Sequence, residues 1–184
     1  MKTNGPWKII KSQKIYKNPW INVREDKVIQ PNGKEGLCGI VEMLHGVFIL
    51  PIDDKGYVYL IDQFRYVLGK NIIEIAGGSI KKGENIIKTA KRELREETGI
   101  IAKEFICLGK ILPLTSVIKT SSTLYLAKKL KFVKAVPEET EKIKVIKVKL
   151  KDALKMVINN KINHAPSCIL IFKANEYFTK GANK

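Results

Sequence analysis

Three carboxylates within about one turn of a predicted helix are the part of this chain best suited to chemistry. Glu93, Glu96 and Glu97 lie in Arg92-Glu93-Leu94-Arg95-Glu96-Glu97-Thr98-Gly99-Ile100, and Glu84 stands just before that run. Residues three and four apart on a helix are surface neighbours, so Glu93 faces both Glu96 and Glu97, and like charges at that spacing repel. Such a cluster helps folding little. A hard cation such as Mg²⁺ or Mn²⁺, which takes oxygen ligands, would turn the repulsion into a binding site. A Glu-rich amphipathic helix is otherwise a solvated surface, because charged residues are mostly exposed.

The carboxylates need a rigid helix, and the spacing predicts one over about Asn85 to Thr98. Gly83 and Glu84 sit at its expected start, where the helix dipole favours a carboxylate. Gly99 sits just past its end, where a left-handed cap is usual. Ile86, Ile87, Ala90 and Leu94 form an apolar stripe that would dock the helix on a core.

Strands must supply that core. Trp7 to Tyr16, Trp20 to Gln30 and Leu37 to His45 read as strands by partial alternation. Pro31-Asn32-Gly33 is a tight-hairpin signal between the last two. Val47 to Ile52 and Tyr57 to Phe64 are joined by the turn Asp53-Asp54-Lys55-Gly56. A short strand from Ile72 to Ala76 leads to Gly77-Gly78. Phe105 to Leu112, Ser122 to Leu130 and Ile143 to Leu150 are further strands, with a loop at Pro113 to Ser121. Asp152 to Asn159 and Ser167 to Phe178 read as helices. Strands first, then strands mixed with helices, imply an α/β/α sandwich or an α+β layer rather than a doubly wound sheet. Residues 1–45 form an expected N-terminal antiparallel β extension, and residues 46–184 the main domain.

The chain has 184 residues, enough for one domain with a core and an extension. Apolar runs such as Gly46 to Ile52 are far too short to span a bilayer. No apolar signal core follows Met1-Lys2-Thr3. Cys38, Cys107 and Cys168 are odd in number and widely spaced, which fits neither a disulfide framework nor a zinc site; the expected setting is the cytoplasm. The net charge of +16 comes from scattered residues, mostly Lys, that are not interleaved with aromatics. That distribution favours general attraction of anionic substrates over a dedicated nucleic-acid surface.

The acidic run, read with Gly78 and the five residues that separate it from Glu84, resembles the Nudix box: glycine, five residues, glutamate, seven residues, then Arg-Glu-aliphatic-x-Glu-Glu-x-Gly-aliphatic. Every specified position is matched. Asp62-Gln63-Phe64-Arg65-Tyr66 and Ile73-Glu74-Ile75-Ala76-Gly77-Gly78 are similar to the Gln-Tyr-Arg and Glu-Leu-Pro-Ala-Gly signatures of the ADP-ribose pyrophosphatase branch. Ala76 stands where that branch has Pro, and Gly77 where it has Ala.

The resemblance implies a Nudix α/β/α sandwich with a mixed central sheet and Mg²⁺-dependent hydrolysis of a nucleoside diphosphate-sugar, ADP-ribose first. Mn²⁺ is a possible substitute. It implies that Glu93, Glu96 and Glu97 ligate the metal with the backbone carbonyl of Gly77. Gly78, Glu84, Arg92 and Gly99 would be structural members of the box, Arg92 pairing with its carboxylates. The metals would polarise a pyrophosphate oxygen, lower the pKa of a bound water and neutralise the leaving phosphate. Arg65 is either a diphosphate or ribose contact or a surface salt bridge. Glu74 either hydrogen-bonds a nucleoside or sugar or is a strand residue facing solvent. Trp20 either stacks on the adenine, from a region that exchanges between subunits of an implied homodimer, or is an ordinary core residue. His45 and His164 stand alone and read as packing or surface.

One departure bears on mechanism. The branch carries a glutamate in the loop after the box, but residues 112–122 contain no carboxylate, and Thr120 takes its place. Glu138, Glu139 or Glu141 from the next loop would then reach in, or Glu97 or Glu93 would act as base, or activity would be reduced. GDP-mannose or another nucleotide sugar, a 5′-triphosphorylated RNA end, and a non-catalytic nucleotide-sugar sensor remain the competing readings.

Overall fold

The computed structural model describes residues 2–81, 83–136 and 142–181. In chain order the strands are β1 Lys2–Asn4, β2 Trp7–Lys17, β3 Ile21–Ile29, β4 Glu35–Met43, β5 Gly46–Pro51, β6 Tyr57–Arg65, β7 Lys70–Glu74 and β8 Ala76–Ser79. Helix α1, Ile86–Thr98, follows; then β9 Ile100–Ile111, β10 Ile118–Lys119, β11 Ser122–Phe132, β12 Ile143–Lys149, α2 Leu150–Ile158 and α3 Ala165–Gly181. They group into two compact units, Met1–Leu44 with Leu112–Ser121, and His45–Ile111 with Ser122–Lys184.

The first unit is one sheet in the order β1-β2-β3-β4-β10. Its first four strands are antiparallel neighbours. The Pro-Asn-Gly signal is a turn between β3 and β4: Gly33 has φ 82° and donates its N–H to the Gln30 carbonyl at 2.9 Å. The segment expected as plain loop, 113–121, contains β10, which pairs parallel to β4 with Ile118 opposite Val41. Alternation alone could not reveal a strand of two residues. Asp26 is buried here and held by Arg24, whose Nη1 also reaches Glu42 at 2.7 Å.

The second unit holds a four-stranded mixed sheet, β8-β5-β11-β9, and a three-stranded sheet, β12-β6-β7. The parallel pairing of β11 with β5 makes the first sheet mixed. Alternation along β5 sorts its side chains onto two faces, as the pleat requires. Val47 and Ile49 pack in a buried cluster with Ala90 and Leu94 of α1. Leu50 packs in a second cluster with Ala153 and Val157 of α2 and Leu170, Ile171 and Ala174 of α3. Helices therefore cover both faces, and the unit is an α/β/α sandwich. Among the described residues no helix is long and apolar enough to cross a membrane.

Two further sequence expectations are corrected. The strand expected over Ile72 to Ala76 is two strands in different sheets, with Ile75 as the crossing residue. Ile75 is buried and leads the chain from one sheet into the other, where Ala76 begins the strand that carries the glycines. Ile86 does not dock; it is 40% exposed, while Ala90 and Leu94 are fully buried.

Candidate active site

Helix α1 is held at both ends by local chemistry. Its start is capped by Asn85, whose Oδ1 accepts from the Ile87 N–H at 2.9 Å, so Gly83 and Glu84 precede the cap. A capping side chain satisfies a backbone donor that the first turn leaves orphaned. Gly99 ends the helix in the left-handed conformation, φ 65°, with its N–H on the Arg95 carbonyl. A Cβ there would run into the Val133 carbonyl, so glycine is required on two grounds.

Arg92 is the hub of the acidic face. Its Nε and Nη2 meet both oxygens of Glu84 at 3.0 and 3.2 Å. Nη2 also meets Glu93 at 2.9 Å, and Nη1 meets Glu96 at 3.0 Å. A planar guanidinium can serve three carboxylates at once where a lysine could not. The bond from Arg92 holds the Glu84 carboxyl down at about 2, and Arg92 in turn is raised, first by Glu84. Glu84, Glu93, Glu96 and Glu97 gather four carboxylates around this guanidinium in a chain of net charge +16.

Strand β8 lies against this face. Glu97 is buried, and its Oε2 accepts the Gly77 N–H at 2.8 Å. Glu93 lies so close to Gly78 that a Cβ there would collide with its carboxylate. A Cβ on Gly77 would come within 2.5 Å of the Phe48 ring and the Val47 carbonyl. Both glycines are therefore needed for close approach. In an antiparallel ladder a residue exchanges both its backbone bonds with its partner or neither. The Gly77 N–H is spent on Glu97, so its carbonyl leaves the ladder on the same side, at the free edge of β8.

Among the described residues, no three His, Cys, Asp or Glu side chains converge as a ready-made metal cage. Arg92 accounts for this, since it spreads three of the carboxylates over its own nitrogens. The donors that remain near Gly77 and Gly78 are all oxygens. That set fits a hard divalent cation of the Mg²⁺ or Mn²⁺ kind and not a soft one.

Arg65 and Glu74 form a pair beside this region. Arg65 Nε and Nη2 both contact Glu74 Oε1 at 2.6 Å. Glu74 is 1% exposed, which removes the reading of a strand residue facing solvent. Burial raises its carboxyl and the Arg65 bond opposes that shift. His164, read from sequence as packing or surface, faces the same carboxylate: Nδ1 is 3.4 Å from Glu74 Oε2 and 2.8 Å from Ser167 Oγ. Although the spacing would suit an ion pair, Arg65 already balances Glu74. Burial, then Arg65, lower His164 to about 4, so the ring is neutral at pH 7. The signal available in the sequence was Pro166, a helix-start residue that puts His164 just before the first turn of α3.

Trp20 is in the first unit and 66% exposed, so it is no core residue. Thr120 is in the same unit and donates its hydroxyl to the Leu44 carbonyl at 2.8 Å. His45 is exposed. Glu138, Glu139 and Glu141 lie outside the described residues. A groove of about 560 Å³ is lined by Lys91, Arg92, Arg95, Glu96 and Phe105, so it meets the Arg92 hub at Glu96, while Glu93 and Glu97 do not line it.

The chain is similar to known proteins along most of its length. The family model described as the NUDIX domain matches residues 44–163. The model of the nucleoside diphosphate sugar hydrolase N-terminal domain matches residues 7–37. The ADP-ribose pyrophosphatase of Bacillus subtilis (strain 168) is 32% identical over 166 residues, covering 89% of this chain and 90% of that protein. A methanol dehydrogenase activator of Bacillus methanolicus is 30% identical over the same length and coverage. A crystal structure of an ADP compounds hydrolase superposes with a TM-score of 0.85 at 20% identity, over 98% of both chains, a likeness of fold.

Proposed function

Because the chain belongs to the Nudix hydrolase family, we propose that it cleaves the pyrophosphate bond of a nucleoside diphosphate-sugar, ADP-ribose first. Water adds to one phosphorus, the bridging P–O bond breaks, and AMP and ribose 5-phosphate leave. The observation that carries this reading is an intact acidic face beside Gly77 and Gly78, in a chain whose residues 7–37 match a nucleoside diphosphate sugar hydrolase module.

Glu93, Glu96 and Glu97, with the Gly77 carbonyl, would hold Mg²⁺ or Mn²⁺, which when bound polarises the pyrophosphate and activates water. The protein's own work is positioning. Arg92 spaces the carboxylates and Glu97 ties α1 to β8. Arg65, 39% exposed at the side chain and anchored by buried Glu74, presents a guanidinium suited to a phosphate oxygen. Trp20 supplies an exposed ring on which a base can stack. Residues 1–45 serve as the element through which two copies pair; Ile15, Tyr16 and Leu37 are exposed apolar side chains there. The three free cysteines suit a cytoplasmic setting.

Release of phosphomonoester from ADP-ribose, GDP-mannose, UDP-glucose and diadenosine polyphosphates, with Mg²⁺, Mn²⁺ or EDTA, tests the reading. Metal-dependent turnover of ADP-ribose well above the rest is expected. Preference for GDP-mannose would move the substrate within the same class. Binding without turnover would favour a nucleotide-sugar-binding protein.

A further inference from the structure

A buried polar chain runs behind Arg65 at the point where the backbone crosses from one sheet to the other. Arg65 ends β6, Glu74 ends β7, and Ile75 is the crossing residue. Ser167, fully buried in the first turn of α3, accepts the Ile75 N–H on its Oγ at 2.9 Å. His164 immediately precedes that turn and is tied to it, with its carbonyl accepting the Cys168 N–H at 3.0 Å. Its ring stands edge-on to Phe48 at 5.3 Å, and Phe48 is the ring that Gly77 lies against. None of this is needed for helix packing alone, since burying polar groups costs free energy unless they are paired.

We propose that His164 is a positioning residue for the Arg65–Glu74 pair, its neutral ring carrying the proton on Nδ1, bonded to Ser167 and directed at Glu74 Oε2. Arg65 spends both its contacting nitrogens on Oε1. The other oxygen of this buried carboxylate needs a positive dipole, and the group facing it is His164 Nδ1, at 3.4 Å. Held from both sides, Glu74 cannot turn about its last torsion, and it fixes where the guanidinium points. A neutral donor suits the place better than a second cation, which burial would penalise. Burial and Arg65 hold His164 neutral in the ordinary working range. The inference rests on Arg65 as a substrate contact, as proposed above.

Two substitutions separate the hydrogen bond from the packing. His164→Asn keeps a donor near the place of Nδ1, and His164→Phe keeps a ring on Phe48 but removes the donor. The first measurement is a long-range ¹H–¹⁵N spectrum of the full chain labelled at histidine, which reads the tautomer without any turnover. The second is ADP-ribose affinity by calorimetry in EDTA, alongside KM and kcat with Mg²⁺. The expected results are an Nδ1–H tautomer for His164, about tenfold weaker affinity and higher KM in His164→Phe at nearly unchanged kcat, and recovery in His164→Asn. An Nε2–H tautomer, or wild-type affinity in His164→Phe, overturns the proposal. Arg65→Ala separates the two readings: if it binds ADP-ribose like wild type, the substrate role of Arg65 falls, and the tautomer still decides whether His164 directs its proton at Glu74.

Discussion

Glu97 accepts the backbone N–H of Gly77 at 2.8 Å, which ties the acidic helix to the strand edge from which the Gly77 carbonyl emerges. One carboxylate thus joins helix to strand through Oε2. Glu97→Gln keeps an amide oxygen for the Gly77 N–H and removes the charge. Turnover is expected to fall about 10²–10³-fold or more, with the melting temperature shifted by no more than about 3 °C. Unchanged turnover in a folded variant would remove Glu97 from the metal site.

Gly78 tests the close approach. A Cβ there collides with the Glu93 carboxylate, which is held by Arg92 and cannot swing aside freely. In Gly78→Ala the carboxylate must move, and kcat is expected to drop about 100-fold, in line with the cost of misplacing a reacting group by an ångström. Circular dichroism should remain that of the wild type. If Gly78→Ala turns over normally, Glu93 is not held in a working position by this contact.

Arg92 tests the hub. Arg92→Lys keeps the charge but cannot bridge Glu84, Glu93 and Glu96 together. The released carboxylates repel, and stability should fall by about 1–3 kcal/mol in urea unfolding. Added Mg²⁺ should then raise the melting temperature of Arg92→Lys more than that of the wild type, because the cation takes over the neutralising role. An equal response in both proteins would argue that the cation does not sit among these carboxylates.

Most of the sandwich was legible in the sequence because its signals are periodic. Val47 and Ile49 against Phe48 and Leu50 is a two-residue alternation, and Ala90 with Leu94 is a helical one. The box residues were legible because their spacing is fixed. The break at Ile75 was not, since a chain that changes sheets without a turn leaves no glycine or proline mark. The depth of Glu74 was hidden for a related reason: an acidic strand residue is usually exposed, and only the fold brings Arg65 and His164 to it. Strand β10 was too short to read, and Thr120 beside it owes its hydrogen bond to Leu44, a residue far away in sequence.

The buried histidine should make the fold acid-sensitive in a defined window. Unfolded His164 takes a proton below about its ordinary 6.5, whereas folded His164 does so only near 4, because burial and Arg65 oppose the charge. Between those values the unfolded chain binds more protons, so stability is whole above 6.5 and is lost as pH falls towards 4. Glu74 works the other way: its carboxyl is raised by burial, so taking up a proton near the acid end relieves a cost of the folded state. The histidine effect therefore stands clearest in the upper part of the window. Urea unfolding at pH 7 and at about pH 5 should show the wild type losing about 1–2 kcal/mol more than His164→Phe, which has nothing to protonate. Equal losses in the two proteins would mean that His164 is not held neutral by its surroundings, and that the acid sensitivity arises elsewhere in the chain.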